Sequence, residues 1–96
     1  MGLPNLSRRT SEVELPDGTK LQVKGLSRGQ AVELSGLETV RDMEITTIAY
    51  GTGHSKEKAA AFYDEAPVDA IEPIINEIVA LSGLDGGETR NLLNGA

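Results

Sequence analysis

The stretch from Ile48 to Leu84 constrains the fold most, because glycine, serine and proline divide it into segments of helical length. Gly51 and Gly53 follow a helical segment, as residues that end a helix commonly do. Ser55 is then well suited to cap the next helix, since its hydroxyl can accept from an unpaired backbone N–H group. Apolar side chains recur at helical spacing after it. These features predict a helix over about 56–65.

Ala66-Pro67 separates that helix from a longer one, because the residue before proline is disfavoured in the α region. The next helix is predicted over about 68–82. Two starts are open, one at Pro67 and one near Asp69. A helix from Pro67 must bend at Pro73, whereas one that begins near Asp69 tolerates this proline in its first turn. The Gly83-Leu84 pair fits a Schellman-type stop.

This last helix carries a broad apolar stripe with acidic and amide side chains on its other faces. The default interpretation of such a stripe is a core-facing surface. Part of it is also a candidate protein-binding surface, because a large exposed aliphatic patch on a small domain marks an interaction site. The predicted partner-binding residues are Val68, Ile71, Ile75, Ile78, Leu81 and Leu84.

Near the N-terminus, two short runs of alternating apolar and polar residues predict a β-hairpin over 11–25. The Asp17-Gly18 pair between the runs is typical of tight turns. Ser27 and Gln30 then match a capping box, which predicts a short helix over about 28–35. An isolated hairpin is only marginally stable in water, so its apolar face must pack on the rest of the chain.

The segment from Leu37 to Tyr50 is ambiguous from its pattern alone. Val40, Met43 and Thr47 have helical spacing, whereas the β-branched run that ends at Ile48 is also compatible with a strand. The glycines that follow favour a helix, and we predict one over about 38–50.

Together these elements predict an α+β fold, mostly α, in which an N-terminal β-hairpin is followed by a compact bundle of about four short helices. The chain has 96 residues, which is enough for one domain. We assign that domain to 11–84, with a flexible N-terminus at 1–10 and a flexible, glycine-rich tail at 85–96.

Composition narrows the classes of function. The formal net charge is −6, and Arg8-Arg9 is the only adjacent basic pair, so a nucleic-acid groove is not expected. The absence of cysteine excludes disulfides, thiol nucleophiles and Cys-zinc sites. No segment is apolar over the length of a bilayer, and the first residues lack the apolar region of a signal peptide. The core is aliphatic and small, and self-association would add to its modest stability.

No catalytic, cofactor or metal site is predicted. His54 is the single histidine, and its neighbours do not form a set of nucleophile, base and orienting residue. The Gly51–Lys56 segment does not match the spacing of a phosphate-binding loop. The carboxylates fit solvated helix faces better than a paired acid–base site. We therefore expect a protein that is not an enzyme.

The order of several short motifs is similar to that in a known family. They are Lys24-Gly25-Leu26-Ser27-Arg28, Glu33-Leu34, Ile48-Ala49-Tyr50-Gly51-Thr52-Gly53, Ser55 with Glu57 and Ala59, Ala66-Pro67, and Leu81-Ser82-Gly83-Leu84. In this order the chain resembles the small tail assembly chaperones of long-tailed, non-contractile bacteriophages, especially those of actinobacterial hosts. The resemblance covers about Val13 to Leu84. Tyr63 departs from it, since Trp or Leu is more usual there.

The resemblance implies a non-catalytic role. Such chaperones bind the tape measure protein, and in many phages also the tail tube protein, during tail morphogenesis. They act in the cytoplasm of the host cell and are not retained in the mature virion. A second form, extended at the C-terminus by ribosomal frameshifting, is common among them. Two alternatives are a structural tail or head–tail component and an acidic helical module for regulatory protein interactions.

Overall fold

The computed structural model describes residues 3–4 and 7–83. In that part of the chain an antiparallel β-hairpin is followed by four helices, which confirms the predicted fold class. The elements are β1 (Thr10–Glu14), β2 (Lys20–Lys24), α1 (Arg28–Ser35), α2 (Val40–Thr52), α3 (Lys56–Glu65) and α4 (Val68–Leu81). The tail predicted at 85–96 and residue Leu84 lie outside the described residues, as do 1–2 and 5–6 of the predicted N-terminal segment.

The hairpin packs one face on the helices. Val13 and Val23 are buried, whereas the residues beside them in the strands are mostly exposed, as expected for a sheet with one solvated face. Gly18 adopts a positive φ of 89° in the turn, and the Asp17 carboxylate accepts from the backbone N–H of Thr19. Both strands contact α4, so the hairpin is stabilised by the last of the described helices.

The capping box predicted at the start of α1 is present. The Ser27 hydroxyl accepts from the backbone N–H of Gln30, and the Gln30 side chain accepts from the backbone N–H of Ser27. The helix spans the predicted residues and buries Ala31 and Leu34.

The ambiguous segment is a helix, α2, and it occupies the centre of the fold. It contacts α1, α3, α4 and β2. Its β-branched run from Ile45 to Ile48 is buried on every side, which explains why the sequence shows no clear polar face there. Thr47 is fully buried, and its hydroxyl donates to the Met43 carbonyl at 2.7 Å. Helix packing therefore overrides the strand propensity of this run.

The helix α2 runs from Val40 to Thr52, so it begins and ends two residues later than the predicted range of 38–50. The left-handed residue that ends it is Gly53, with φ 76°. Gly51 lies inside the helix instead. A Cβ atom on Gly51 would lie 2.3 Å from Cδ1 of Ile78, so this glycine permits close contact between α2 and α4.

The helix α3 spans the predicted residues, and the Ser55 hydroxyl caps it by accepting from the backbone N–H of Lys58. The helix α4 begins at Val68, with Pro67 as an N-cap that makes no side-chain hydrogen bond. It continues through Pro73 to Leu81, one residue short of the predicted end. Val68 lies between the two predicted starts, one residue after Pro67 and one residue before Asp69. Pro73 lacks the N–H group that would otherwise bond the Asp69 carbonyl.

The C-terminal end of α4 is joined to the end of the hairpin. The backbone N–H of Leu26 donates to the Ser82 hydroxyl at 2.7 Å, and this hydroxyl donates to the Ile78 carbonyl. Gly25 is buried beside them, and a Cβ atom there would lie 2.6 Å from the Leu81 carbonyl oxygen. Residues 25–26 and 81–82 are distant in the sequence, yet they are in direct contact in the fold.

A helix that crosses a bilayer needs about 20 apolar residues. The longest helix among the residues that the structure describes, α4, has 14 residues, and none of the described helices qualifies as a membrane span.

Candidate protein-binding site

An open groove of about 540 Å³ lies where α2, α3 and α4 meet. Its floor is apolar and its rim carries carboxylates. The groove is lined by Glu44, Tyr63, Asp64, Ala66, Val68, Ile71, Glu72, Ile75 and Asn76.

The helix α4 forms one wall along two turns. Its lining residues are Val68, the pair Ile71 and Glu72, and the pair Ile75 and Asn76, which recur once per turn. The groove therefore follows the axis of α4 for about 10 Å. Ile71 and Ile75 are buried and form the floor, whereas Val68 is 91% exposed at the first position of the helix. An aliphatic side chain this exposed leaves apolar surface available to a partner.

The opposite wall is held in place by polar contacts between α2 and α3. The Tyr63 hydroxyl donates to the Glu44 carboxylate at 2.7 Å, and the Arg41 guanidinium contacts the Asp64 carboxylate at 2.6 Å. The same guanidinium lies 6.0 Å from the centre of the Tyr63 ring. The hydrogen bond to Glu44 raises the pKa of Tyr63.

The charge of the chain is concentrated beside this groove. Residues 1–58 carry eight acidic and eight basic side chains, so their formal charges cancel. Residues 59–83 carry five carboxylates and no Lys, Arg or His. This acidic segment comprises most of α3 and all of α4. Two of its carboxylates, Asp64 and Glu72, line the groove, and Glu44 of α2 adds a third.

Two other depressions are present in the described part of the chain. One, of about 220 Å³, lies between β2, α2 and α3, with His54 and Lys58 beside an apolar floor that includes Phe62. The other, of about 380 Å³, lies between the tip of the hairpin and the α3–α4 junction. We favour the α2–α3–α4 groove because it is the largest of the three and is lined by Val68, the most exposed large aliphatic residue of the helices.

His54 is exposed in the turn between α2 and α3, as the sequence indicates. Within residues 3–4 and 7–83, no three His, Asp or Glu side chains are placed to hold a metal ion. Every buried side-chain nitrogen or oxygen in this range has a hydrogen-bond partner.

The six predicted partner-binding residues fall into three groups. Val68, Ile71 and Ile75 lie together in the groove. Ile78 is fully buried against Gly51, and Leu81 is half-buried beside Gly25, so neither reaches the groove. Leu84 lies outside the described residues. The role of all six in partner binding stays a prediction.

The remaining lining residues were not predicted from the sequence, because they come from α2, the end of α3 and α4. They are Glu44, Tyr63, Asp64, Ala66, Glu72 and Asn76. One sequence signal could have pointed to this surface. Residues 59–83 contain acidic but no basic side chains, and they form most of α3 and all of α4. A second available signal was Tyr63, which stands where the resemblance leads one to expect Trp or Leu and which lies in the wall of the groove.

Comparisons with protein-family models, with curated proteins and with solved structures found no match to this chain.

Proposed function

We propose that this protein is a non-catalytic tail assembly chaperone of a long-tailed, non-contractile bacteriophage, which binds the tape measure protein during tail morphogenesis. The observation that carries the proposal is the open apolar groove of α2, α3 and α4, with Val68 exposed beside it. A chaperone for a long helical protein needs such a surface, because it must cover apolar side chains that would otherwise aggregate.

The positions of the family-like motifs support the proposal. Gly25-Leu26 and Leu81-Ser82 belong to different motifs and contact each other at the end of the hairpin. Gly51, from a third motif, contacts Ile78 of α4. The short motifs thus lie at contacts between elements, where few residue types fit. This gives a physical reason why a family with this fold would share them in this order.

In this role the protein acts in the cytoplasm of the host cell and leaves the tail before the virion is complete. The tail tube protein is a second proposed partner, bound in the same period of assembly. A groove that covers only two turns of a helix fits such a transient interaction, because small interfaces are typical of weak and reversible complexes.

Co-expression with the tape measure protein of the same genome tests the proposal. We expect this protein to keep the tape measure protein in the soluble fraction and to be recovered with it after affinity purification. Val68→Asp places a charge in the groove and should abolish both effects. The control is Val32→Asp, which changes a 53%-exposed valine on α1, outside the groove. A tape measure protein that stays insoluble with the wild-type chain, or equal loss in both variants, would contradict the proposal.

Mass spectrometry of purified virions separates this function from the structural alternative. A chaperone is absent from finished particles, whereas a tail or head–tail component is present in a fixed ratio to the tube protein. Stoichiometric presence would overturn the proposal in favour of the structural component.

A further inference from the structure

We infer that the α2–α3–α4 groove binds a basic amphipathic helix, which places one aliphatic side chain beside Val68 and Lys or Arg side chains near Glu44, Asp64 and Glu72. The inference rests on the proposed function only in the choice of groove. It adds the chemical class of the segment that is bound.

The shape of the groove favours a helix as the occupant. All of its lining residues lie on or next to helices, and those on α4 recur once per turn for about 10 Å. A helix laid along α4 matches this repeat with its own side chains at i, i+3 or i+4, and i+7. An extended segment gains most by pairing with a free strand, and neither strand of the hairpin lines the groove.

The floor of the groove favours an aliphatic anchor. Ile71 and Ile75 are already packed in the core, so the apolar surface open to a partner comes mainly from Val68 and the half-buried Ala66. One Leu, Ile or Val side chain covers a surface of this size. Its burial removes apolar area from water on both molecules, and this is the main favourable contribution to association.

The carboxylates at the rim of the groove favour a positively charged partner. The carboxylates of Asp64 and Glu44 already interact with Arg41 and Tyr63, whereas Glu72 makes no hydrogen bond or ion pair among the described residues. The acidic segment 59–83 contains no basic side chain of its own, and Arg41 of α2 pairs with one of its five carboxylates, Asp64. A basic helix therefore gains attraction from the carboxylates of the rim, and an acidic helix is repelled.

The same charges disfavour a second copy of this chain as the occupant. A symmetric dimer through the groove would place each α4 against its equivalent, because a two-fold interface pairs the same surface from both subunits. Each copy would bring the carboxylates of Glu44, Asp64 and Glu72 into that interface, and no basic side chain lines the groove. Such repulsion is costly when like charges face each other across an interface.

The test is an NMR titration of the full, nitrogen-15-labelled chain with synthetic peptides. The probe is an amphipathic helix of about 18 residues with leucine on one face and lysine on the other, long enough to be helical when bound. The control peptide has glutamate at every lysine position. We expect the lysine peptide to shift the amide resonances of the groove residues, and the glutamate peptide to shift none. Higher salt should weaken binding.

Matched variants separate a specific site from general attraction to an acidic protein. Val68→Ser and Glu72→Lys should each weaken binding of the lysine peptide by about tenfold, since each removes a central contact. Val32→Ser and Glu57→Lys make the same changes outside the groove, on α1 and at the start of α3. These controls should alter the affinity by less than about twofold, as exposed charges outside an interface contribute little.

Three results would overturn the inference: equal binding of the glutamate peptide, resonance shifts centred on His54 and Lys58 instead of the groove, or equal weakening by the control variants. Sedimentation of the free chain is the remaining check, and a dimer that Glu72→Lys strengthens would identify a second copy as the occupant. Because synthetic peptides are used, failure here leaves the co-expression result intact. Failure of co-expression likewise leaves the peptide result intact.

Discussion

At its C-terminal end α4 is joined to the hairpin by contacts that leave no space, whereas at its N-terminal end it begins with an exposed valine and no side-chain cap. Gly25 meets the Leu81 backbone at one end, and the Ser82 hydroxyl bonds the backbone of Leu26 there. At the other end Val68 is 91% exposed above the groove. The same helix is therefore tightly packed at its C-terminal end and leaves apolar surface exposed at its N-terminal end.

The amphipathic pattern of α4 does not reveal this difference. Val68 and Ile78 belong to the same stripe, yet one is exposed and the other fully buried. What separates them is the identity of their neighbours, which are glycines at the buried end and acidic or aromatic side chains at the exposed end. Substitutions at the C-terminal end of α4 should therefore lower the free energy of unfolding, whereas substitutions at its N-terminal end should leave it nearly unchanged.

The largest loss of stability is expected from Gly25→Ala. The new Cβ atom would lie 2.6 Å from the Leu81 carbonyl oxygen and 2.8 Å from its carbon, and these backbone atoms cannot move without displacing the end of α4. We expect the free energy of unfolding to fall by about 3 kcal/mol or more. Urea denaturation followed by circular dichroism measures this.

Gly29→Ala is the matched control for that variant. It makes the same change within α1, where a Cβ atom meets nothing within 4 Å. Alanine is the better helix former, so this variant should be stabilised by about 0.5–1 kcal/mol. Similar effects from both substitutions would show that the contact between Gly25 and Leu81 is not tight.

Gly51→Ala tests the next contact along α4. Its Cβ atom would lie 2.3 Å from Cδ1 of Ile78, a fully buried side chain that has little room to turn. We expect a loss of about 1–3 kcal/mol in the free energy of unfolding. Ile78→Val removes the Cδ1 atom and should recover part of this loss in the double variant. Additive effects in such a double-mutant cycle would contradict the proposed contact.

Ser82→Ala removes the hydroxyl that joins α4 to the hairpin. The backbone N–H of Leu26 then loses its partner in a half-buried position, and the expected loss is about 1–2 kcal/mol. Ser35→Ala is the control, because the Ser35 hydroxyl bonds a carbonyl of its own helix at the exposed end of α1. Its effect on the urea midpoint should be close to zero. Faster hydrogen exchange of the Leu26 amide should accompany the first variant alone.

The smallest effect on stability is expected from Val68→Ser at the opposite end of α4. The side chain is almost fully exposed, so the free energy of unfolding should change by no more than about 0.5 kcal/mol. If the proposed function is correct, binding of the tape measure protein should nevertheless weaken. Loss of stability comparable to that in Ser82→Ala would show that Val68 serves the fold, and the contrast between the two ends would disappear.

Sequence patterns predict most of the elements because local chemistry determines them. The capping box of Ser27 and Gln30 and the cap at Ser55 define the starts of α1 and α3 correctly. The end of α2 was predicted too early, because two glycines follow Tyr50 and the pattern does not show which one turns left-handed. Gly51 stays helical because Ile78 packs on it, and that residue is distant in sequence.

The groove is harder to predict for the same reason. Periodicity identifies Val68, Ile71 and Ile75 as one stripe with Ile78, but it cannot show where a neighbouring helix stops covering that stripe. The wall formed by Glu44 and Tyr63 depends on the antiparallel packing of α2 and α3, which brings residues 19 positions apart within hydrogen-bond distance. Only the acidity near the groove was present in the sequence itself, in the acidic run of 59–83.

The uneven distribution of charge also has a kinetic consequence. Because the formal charges of residues 1–58 cancel and those of 59–83 are all acidic, the net negative charge of residues 1–83 comes from α3 and α4, and such a charge distribution attracts basic groups from a distance. A basic segment that diffuses nearby is turned toward these helices before any atoms touch, within the screening distance of about 8 Å at physiological ionic strength. Salt should then slow the association rate more than it speeds dissociation. Encounters would thus be guided to the end of α4 that the fold leaves open.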